Sequence, residues 1–225
     1  MIRFDKVTKT YPQIIALKNI SIDIHKGDFL SLIGQSGAGK STLISLIIGE
    51  EKPDSGRILI DDIDVAQIKA RDIPYLRRKI GVVFQDIKLL PNRTALENVA
   101  FALEVSGEPA AMIKKEVPRV LELVGLQEKA HAFPHQMSGG EKQRVAIARA
   151  MVHKPVLLLA DEPTGNLDSI NAWEILQLLM KINKTGTTVI LATHAKELVN
   201  SVKKRVITIE KGEIIYDQEK GKYVL

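Results

Sequence analysis

Gly34-Gln35-Ser36-Gly37-Ala38-Gly39-Lys40-Ser41-Thr42 decides the reading of this chain. It follows Phe29-Leu30-Ser31-Leu32-Ile33, an apolar run that reads as a buried strand. It precedes Leu43-Ile44-Ser45-Leu46-Ile47-Ile48-Gly49, which reads as a helix closed by a glycine. A glycine-rich turn between strand and helix is a phosphate-binding loop. Its glycines let successive backbone N–H groups point into one concavity, and the helix N-terminus adds its partial positive charge there. In this reading residues 34–39 wrap the phosphates, Lys40 reaches the outer ones, Ser41 ligates Mg2+ and Thr42 completes the nucleotide contacts. A merely flexible glycine turn would not need the strand before it or the helix after it.

Composition sets the outer limits. A chain of 225 residues with 45% hydrophobic and 26% charged residues forms one large domain, or one domain with an insertion. It has no cysteine, which excludes a disulfide framework and a thiolate metal site. No apolar run reaches the ~18 residues of a membrane span, and the start lacks a signal-peptide core. The expectation is a soluble cytoplasmic protein that acts at a membrane only through a partner. The net charge of +5 is spread over short clusters such as Arg77-Arg78-Lys79, and the ten aromatic residues form no basic stacking stripe, so nucleic acid is not an expected partner.

Around the loop, residues 2–7 and 20–24 alternate apolar and polar as strands, and residues 57–60 read as another. Residues 71–78 suggest a short helix and 79–84 a buried strand ending at Gln85. Residues 94–105 are helical, with Leu96, Val99, Ala100 and Leu103 on one face. A second helix spans 113–124, where Pro118 implies a kink or a later start. Ser138 caps a helix to about residue 152. Strands at 156–160 and 187–192 alternate with helices at 172–182 and 195–202, and a hairpin turns at Lys211-Gly212. The expected architecture is α/β: a parallel core sheet, an antiparallel N-terminal β subdomain, and an α-helical insertion. One domain over 1–225 is expected, with core and β subdomain in 1–90 and 135–225 and the insertion in 91–134, leading into the helix of 138–152.

Four apolar residues followed by Asp161-Glu162 form the second chemical element. Asp161, ending a buried strand, is placed to hold Mg2+; Glu162 is placed to position or deprotonate a water. Met137-Ser138-Gly139-Gly140-Glu141 opens a helix with two glycines behind a serine cap, a second phosphate-receptive helix start. One chain has one phosphate loop, so a second such start makes sense facing a nucleotide held by another copy. On these motifs the chain resembles the ATP-binding-cassette (ABC) ATPases, and the resemblance covers nearly its whole length. It implies the P-loop ABC ATPase fold, ATP and Mg2+ as cofactors, hydrolysis of ATP, and an ATP-dependent head-to-tail homodimer. It implies adenine stacking for Tyr11 and a metal contact for Gln85. It implies closure of Ser138, Gly139, Gly140 and Glu141 on the opposite ATP, an interface role for Asp168, and a switch role for His194. Catalysis would rest on Glu162, His194 and Lys40, and metal binding on Ser41, Gln85 and Asp161. Met137 and Glu141 stand where the family has leucine and glutamine, and Ala195 where an aspartate often follows the histidine, which leaves the rate open.

The stretch from Phe84 to Leu103, with Lys204-Arg205-Val206-Ile207-Thr208, is similar to the FtsE cell-division branch. That resemblance implies an FtsX-type integral membrane partner, peripheral attachment on the cytoplasmic side of the membrane, and ATP-driven signalling to peptidoglycan hydrolases at septation. The apolar face of 94–105 is expected to help form the docking groove for that partner's cytoplasmic helix. An ATPase of lipoprotein release or macrolide export shares every catalytic residue, and only the 86–103 stretch argues against it. A soluble DNA-repair or translation ATPase is disfavoured by the single compact cassette. A scaffold that binds ATP with little turnover stays open because of Ala195.

Overall fold

The computed structural model describes residues 1–221. Two strands, β1 (Ile2–Tyr11) and β2 (Ile14–Ile24), form an antiparallel hairpin longer than the alternation alone suggested. The strand β3 (Phe29–Ile33) is buried at every residue and runs through the glycine loop into α1 (Lys40–Ile47). Next come β4 (Ser55–Ile60) and the two-residue β5 (Ile63–Asp64), which extend the antiparallel sheet to the order β2-β1-β4-β5. A proline in its first turn starts the short helix α2 (Ile73–Arg78), and β6 (Ile80–Val83) follows.

Between β6 and the next strand the chain is helical: α3 (Ala95–Val105), α4 (Ala110–Leu123) and α5 (Gly139–Met151). The strand β7 (Leu157–Asp161), the helix α6 (Ser169–Lys184), the strand β8 (Thr188–Thr193) and the helix α7 (Lys196–Val202) complete the alternation. The chain then closes on the hairpin β9 (Arg205–Glu210) and β10 (Glu213–Gln218), whose turn residues Lys211 and Gly212 both take positive φ.

The second sheet has the order β10-β9-β3-β8-β7-β6, parallel except for β10. Both of its faces are apolar, as a sheet covered on both sides requires. Leu158, Ala160, Val189 and Leu191 point into a core shared with α3–α6. Their strand neighbours Leu157, Leu159, Ile190 and Ala192 point into a second core with α1 and the antiparallel sheet. Val99, Val117 and Leu121 of the inserted helices lie in the same cluster as Leu158 and Val189, so the insertion shares the sheet's core.

Two expectations are corrected. First, α4 begins at Ala110 and runs through Pro118. Proline removes one helical hydrogen bond, to the Lys114 carbonyl; Lys114 and Pro118 are both exposed, so water can satisfy that group while Val117, Val120 and Leu121 hold the inner face. Second, most of the apolar face of α3 turns inward and is not free to meet a partner. Val99, Ala100 and Leu103 are buried inside the chain, where Val99 and Leu103 each contribute about 1.5–3 kcal/mol of burial.

Candidate active site

The strand order assembles the site. Adjacent across the parallel sheet stand β3, β8, β7 and β6. Their carboxyl ends deliver, in that order, the glycine loop, His194, Asp161-Glu162 and Gln85. Ligands in open α/β sheets bind at this edge. The result is a cleft of about 660 Å³ lined by Gln35, Ser36, Gly37, Gly39, Lys40, Ser41, Thr42, Gln85, Asp161, Glu162 and His194, with Ala16 on its wall.

The phosphate loop is built by close backbone approach. Gly39 has φ 113°, and a Cβ there would lie 2.5 Å from the Ala16 carbonyl oxygen. The Lys40 ammonium, 7% exposed, donates to the carbonyls of Gly34 (2.7 Å) and Gln35 (3.2 Å) and lies 3.7 Å from Glu162 Oε1. The Ser41 hydroxyl donates to Asp161 Oδ2 at 2.9 Å. Burial pushes the Asp161 carboxyl above its ordinary range; the Ser41 hydroxyl and the Lys40 charge oppose this, and the Glu162 charge adds to it.

Glu162 takes the left-handed conformation (φ 47°), rare for a residue with a side chain and worth about 1–3 kcal/mol of strain. Its N–H donates to the Ala192 carbonyl at 2.8 Å, which holds it there. The carboxylate is thereby turned toward the cleft, where Oε1 lies 2.9 Å from His194 Nδ1. That imidazole is 65% exposed, open to whatever enters. The Thr193 hydroxyl accepts from the Ala195 N–H and orders the turn after the histidine.

Other site residues predicted from the sequence lie elsewhere. Tyr11 ends β1, partly exposed, with the Lys9 ammonium 5.3 Å from its ring centre; it does not line the cleft. Ser138, Gly139, Gly140 and Glu141 also lie outside it, at the start of α5. There Ser138 and Glu141 form a capping box: Ser138 Oγ accepts from the Glu141 N–H (3.2 Å), and the Glu141 carboxylate accepts from the Ser138 N–H (2.8 Å). Asp168 caps α6, accepting from the N–H groups of Ile170 and Asn171 and from the Asn171 amide. Those donors hold its carboxyl below the ordinary range.

Sequence reasoning missed Asn98. It is fully buried; its Oδ1 accepts from the Leu90 N–H and its amide donates to the carbonyls of Leu90, Arg93 and Thr94. It clamps the far end of the loop that begins at Gln85. The available signal was a lone polar residue sharing the inner face of α3 with Ala95 and Val99.

A glycine loop, an acidic pair, a glutamine and a histidine on adjacent strand ends define a nucleoside-triphosphate hydrolase of the P-loop class. The ABC transporter family model matches residues 17–165. The chain is 57% identical over 224 residues to the cell division ATP-binding protein FtsE of Bacillus subtilis, covering 99% of this chain and 98% of that one. It is 46% identical over 215 residues to the FtsE of Escherichia coli K12, covering 95% and 97%. A dimeric ATP-binding cassette solved after hydrolysis with ADP and Pi superposes with a TM-score of 0.87 at 37% identity, covering 99% of this chain and all of that one. The chain belongs to the ABC transporter ATP-binding family and, within it, to the FtsE cell-division ATP-binding proteins. It is an ABC-type ATPase.

Proposed function

We propose that this chain is the ATP-hydrolysing subunit of a complex with an FtsX-type integral membrane protein, held at the cytoplasmic face of the membrane by that partner. In this reading ATP-driven closure of two copies signals through the membrane to peptidoglycan hydrolysis at division. The observation that carries it is the separation of two phosphate-receptive elements. Lys40, Ser41, Asp161, Glu162 and His194 share one cleft, while the Ser138 helix start of the same chain lies outside it. A second copy would supply the missing side.

The oxygen donors Ser41 and Asp161, already in contact, with Gln85 in the same cleft, suit a hard cation such as Mg2+. Bound there with ATP, it would neutralise charge on the outer phosphates. Lys40 exchanges its bonds to the Gly34 and Gln35 carbonyls for phosphate oxygens. Glu162, freed from Lys40, holds the attacking water, and His194 fixes the Glu162 carboxylate. Ser138 and Gly140 of the other copy close over the terminal phosphate, and the loop through Asp168 crosses between copies.

Glu162→Gln tests the reading. Its kcat should fall about 10²–10⁴-fold while ATP binding persists and a stable dimer accumulates on size exclusion. A variant that turns over at the parental rate removes Glu162 from its role. Pull-down of that trapped dimer from native membranes should bring a division membrane protein; a lipoprotein or drug-export permease would overturn the division role.

A further inference from the structure

The proposed reaction makes no use of the half-buried charge of Arg149. Arg149 lies in the last turn of α5, the helix that begins at Ser138. Its guanidinium donates to the carbonyls of Lys88 (2.9 Å) and Ile87 (3.0 Å), in the loop that starts at Gln85. No carboxylate pairs with it among the described residues, and burial alone pulls its pKa down. A half-buried guanidinium satisfied only by carbonyls carries part of a desolvation cost that an apolar residue filling the same space would avoid. The cost therefore points to something other than packing.

The loop it holds is constrained in two further ways. Lys88 sits in the left-handed region (φ 45°), so its carbonyl direction is imposed rather than preferred. The far end is clamped by Asn98 on α3. The near end carries Gln85 into the cleft, with its amide nitrogen 3.4 Å from where a side chain on Gly165 would begin.

We propose that Arg149 is a positioning residue that fastens the Gln85 loop to the helix beginning at Ser138, so that the glutamine enters one ATP site as the serine helix is presented to the other. This rests on the two-copy reading above. The planar fork of arginine reaches both carbonyls at once; an ammonium would satisfy them less well.

The test uses the full chain with Arg149→Met and Arg149→Lys, each alone and with Glu162→Gln. Arg149→Met should speed hydrogen exchange at residues 86–90 about tenfold. It should raise the ATP concentration for half-dimerisation about tenfold, while ATP affinity of the single copy stays within about twofold because the phosphate loop is a separate element. Arg149→Lys should recover part of both losses. If Arg149→Met fails to fold, the lysine variant decides, with a smaller shift of the same sign. Unaltered dimerisation overturns the proposal and leaves the two-copy reading standing. Parallel loss of single-copy binding and dimerisation would make Arg149 a general structural residue and also overturn it. Failure of Glu162→Gln alone to dimerise removes both.

Discussion

Two helices of this protein begin at glycines, and they begin in opposite ways. The start of α1 has Gly39 as its cap, no capping side chain and no acidic residue in its first turn. The start of α5 has a serine cap, a complete capping box and Glu141 in its first turn. The first turn of any helix has N–H groups without helical partners. At α1 no side chain takes them, beside a cleft that already holds Lys40 and Ser41. At α5 the box takes two donors and puts a negative charge on the positive end of the helix. An open start can make an anion site alone; a capped start can only add to a site made elsewhere. That difference fits one phosphate site per chain, completed by a second copy.

The same substitution at the two starts tests the difference. In Gly39→Ala the new Cβ would lie 2.5 Å from the Ala16 carbonyl and 2.7 Å from Leu17 Cδ2, at φ 113°. Backbone cannot yield there, so a loss of about 3 kcal/mol and of nucleotide binding is expected, read by urea melts and titration with a fluorescent ATP analogue. In Gly140→Ala the clash is with the Asn171 side-chain oxygen, 2.2 Å from the built Cβ, and a side chain can swing away. It must leave the Asp168 carboxylate, so about 1–2 kcal/mol is expected with single-copy ATP binding unchanged. Equal losses at both glycines would erase the distinction.

The open site should also carry a stability penalty that the capped one lacks. A carboxyl raised above its ordinary 3.8, as at Asp161, binds its proton more tightly folded than unfolded. Its destabilising contribution is therefore fully present above the folded pKa and fades as pH falls toward 3.8. Asp161→Asn should keep the Ser41 contact and make the nucleotide-free protein more stable by about 1 kcal/mol at neutral pH, with the gain shrinking in acid, while ATPase activity is lost. Thermal melts across pH check this. A variant less stable than the parent at pH 7 would mean that the carboxylate is welcome where it sits.

Local chemistry made much of this legible. The glycine spacing, the apolar runs of β3 and β7, and the Lys211-Gly212 hairpin each need only neighbouring residues to be read. The strand order did not, because placing β8 between β3 and β7 is a long-range choice, and it alone sets His194 beside Glu162. The left-handed Glu162 was equally hidden, since no propensity favours that backbone for glutamate. The face of α3 was legible as apolar, but not that Val99, Ala100 and Leu103 on it pack inside the chain, because periodicity says which side is hydrophobic and not what covers it. Pro118 misled in the same way: its cost depends on whether the freed carbonyl meets water. Asn98 and Arg149 carry no motif; their meaning lies in carbonyls that only the folded loop presents.

The smallest expected effect discriminates most sharply. Glu141→Gln keeps the capping box, because an amide oxygen accepts from the Ser138 N–H as a carboxylate does, so stability should change by less than about 0.5 kcal/mol. What changes is charge. The Ser138 N–H, the nearby Lys129 ammonium (4.0 Å) and the Arg144 charge hold the Glu141 carboxyl below its ordinary range, so it is ionised at neutral pH. If the triphosphate of a second copy approaches this helix start, it meets that charge. Removing it should lower the ATP needed for half-dimerisation in the Glu162→Gln background about two- to fivefold at low salt, an effect that screening shrinks as salt rises. Measured by size exclusion at two ionic strengths, an unchanged midpoint would mean that the start of α5 faces no phosphate. The two glycine-bearing helices would then differ as a binding site differs from an ordinary capped helix, and the second copy would have to complete the site from some other surface.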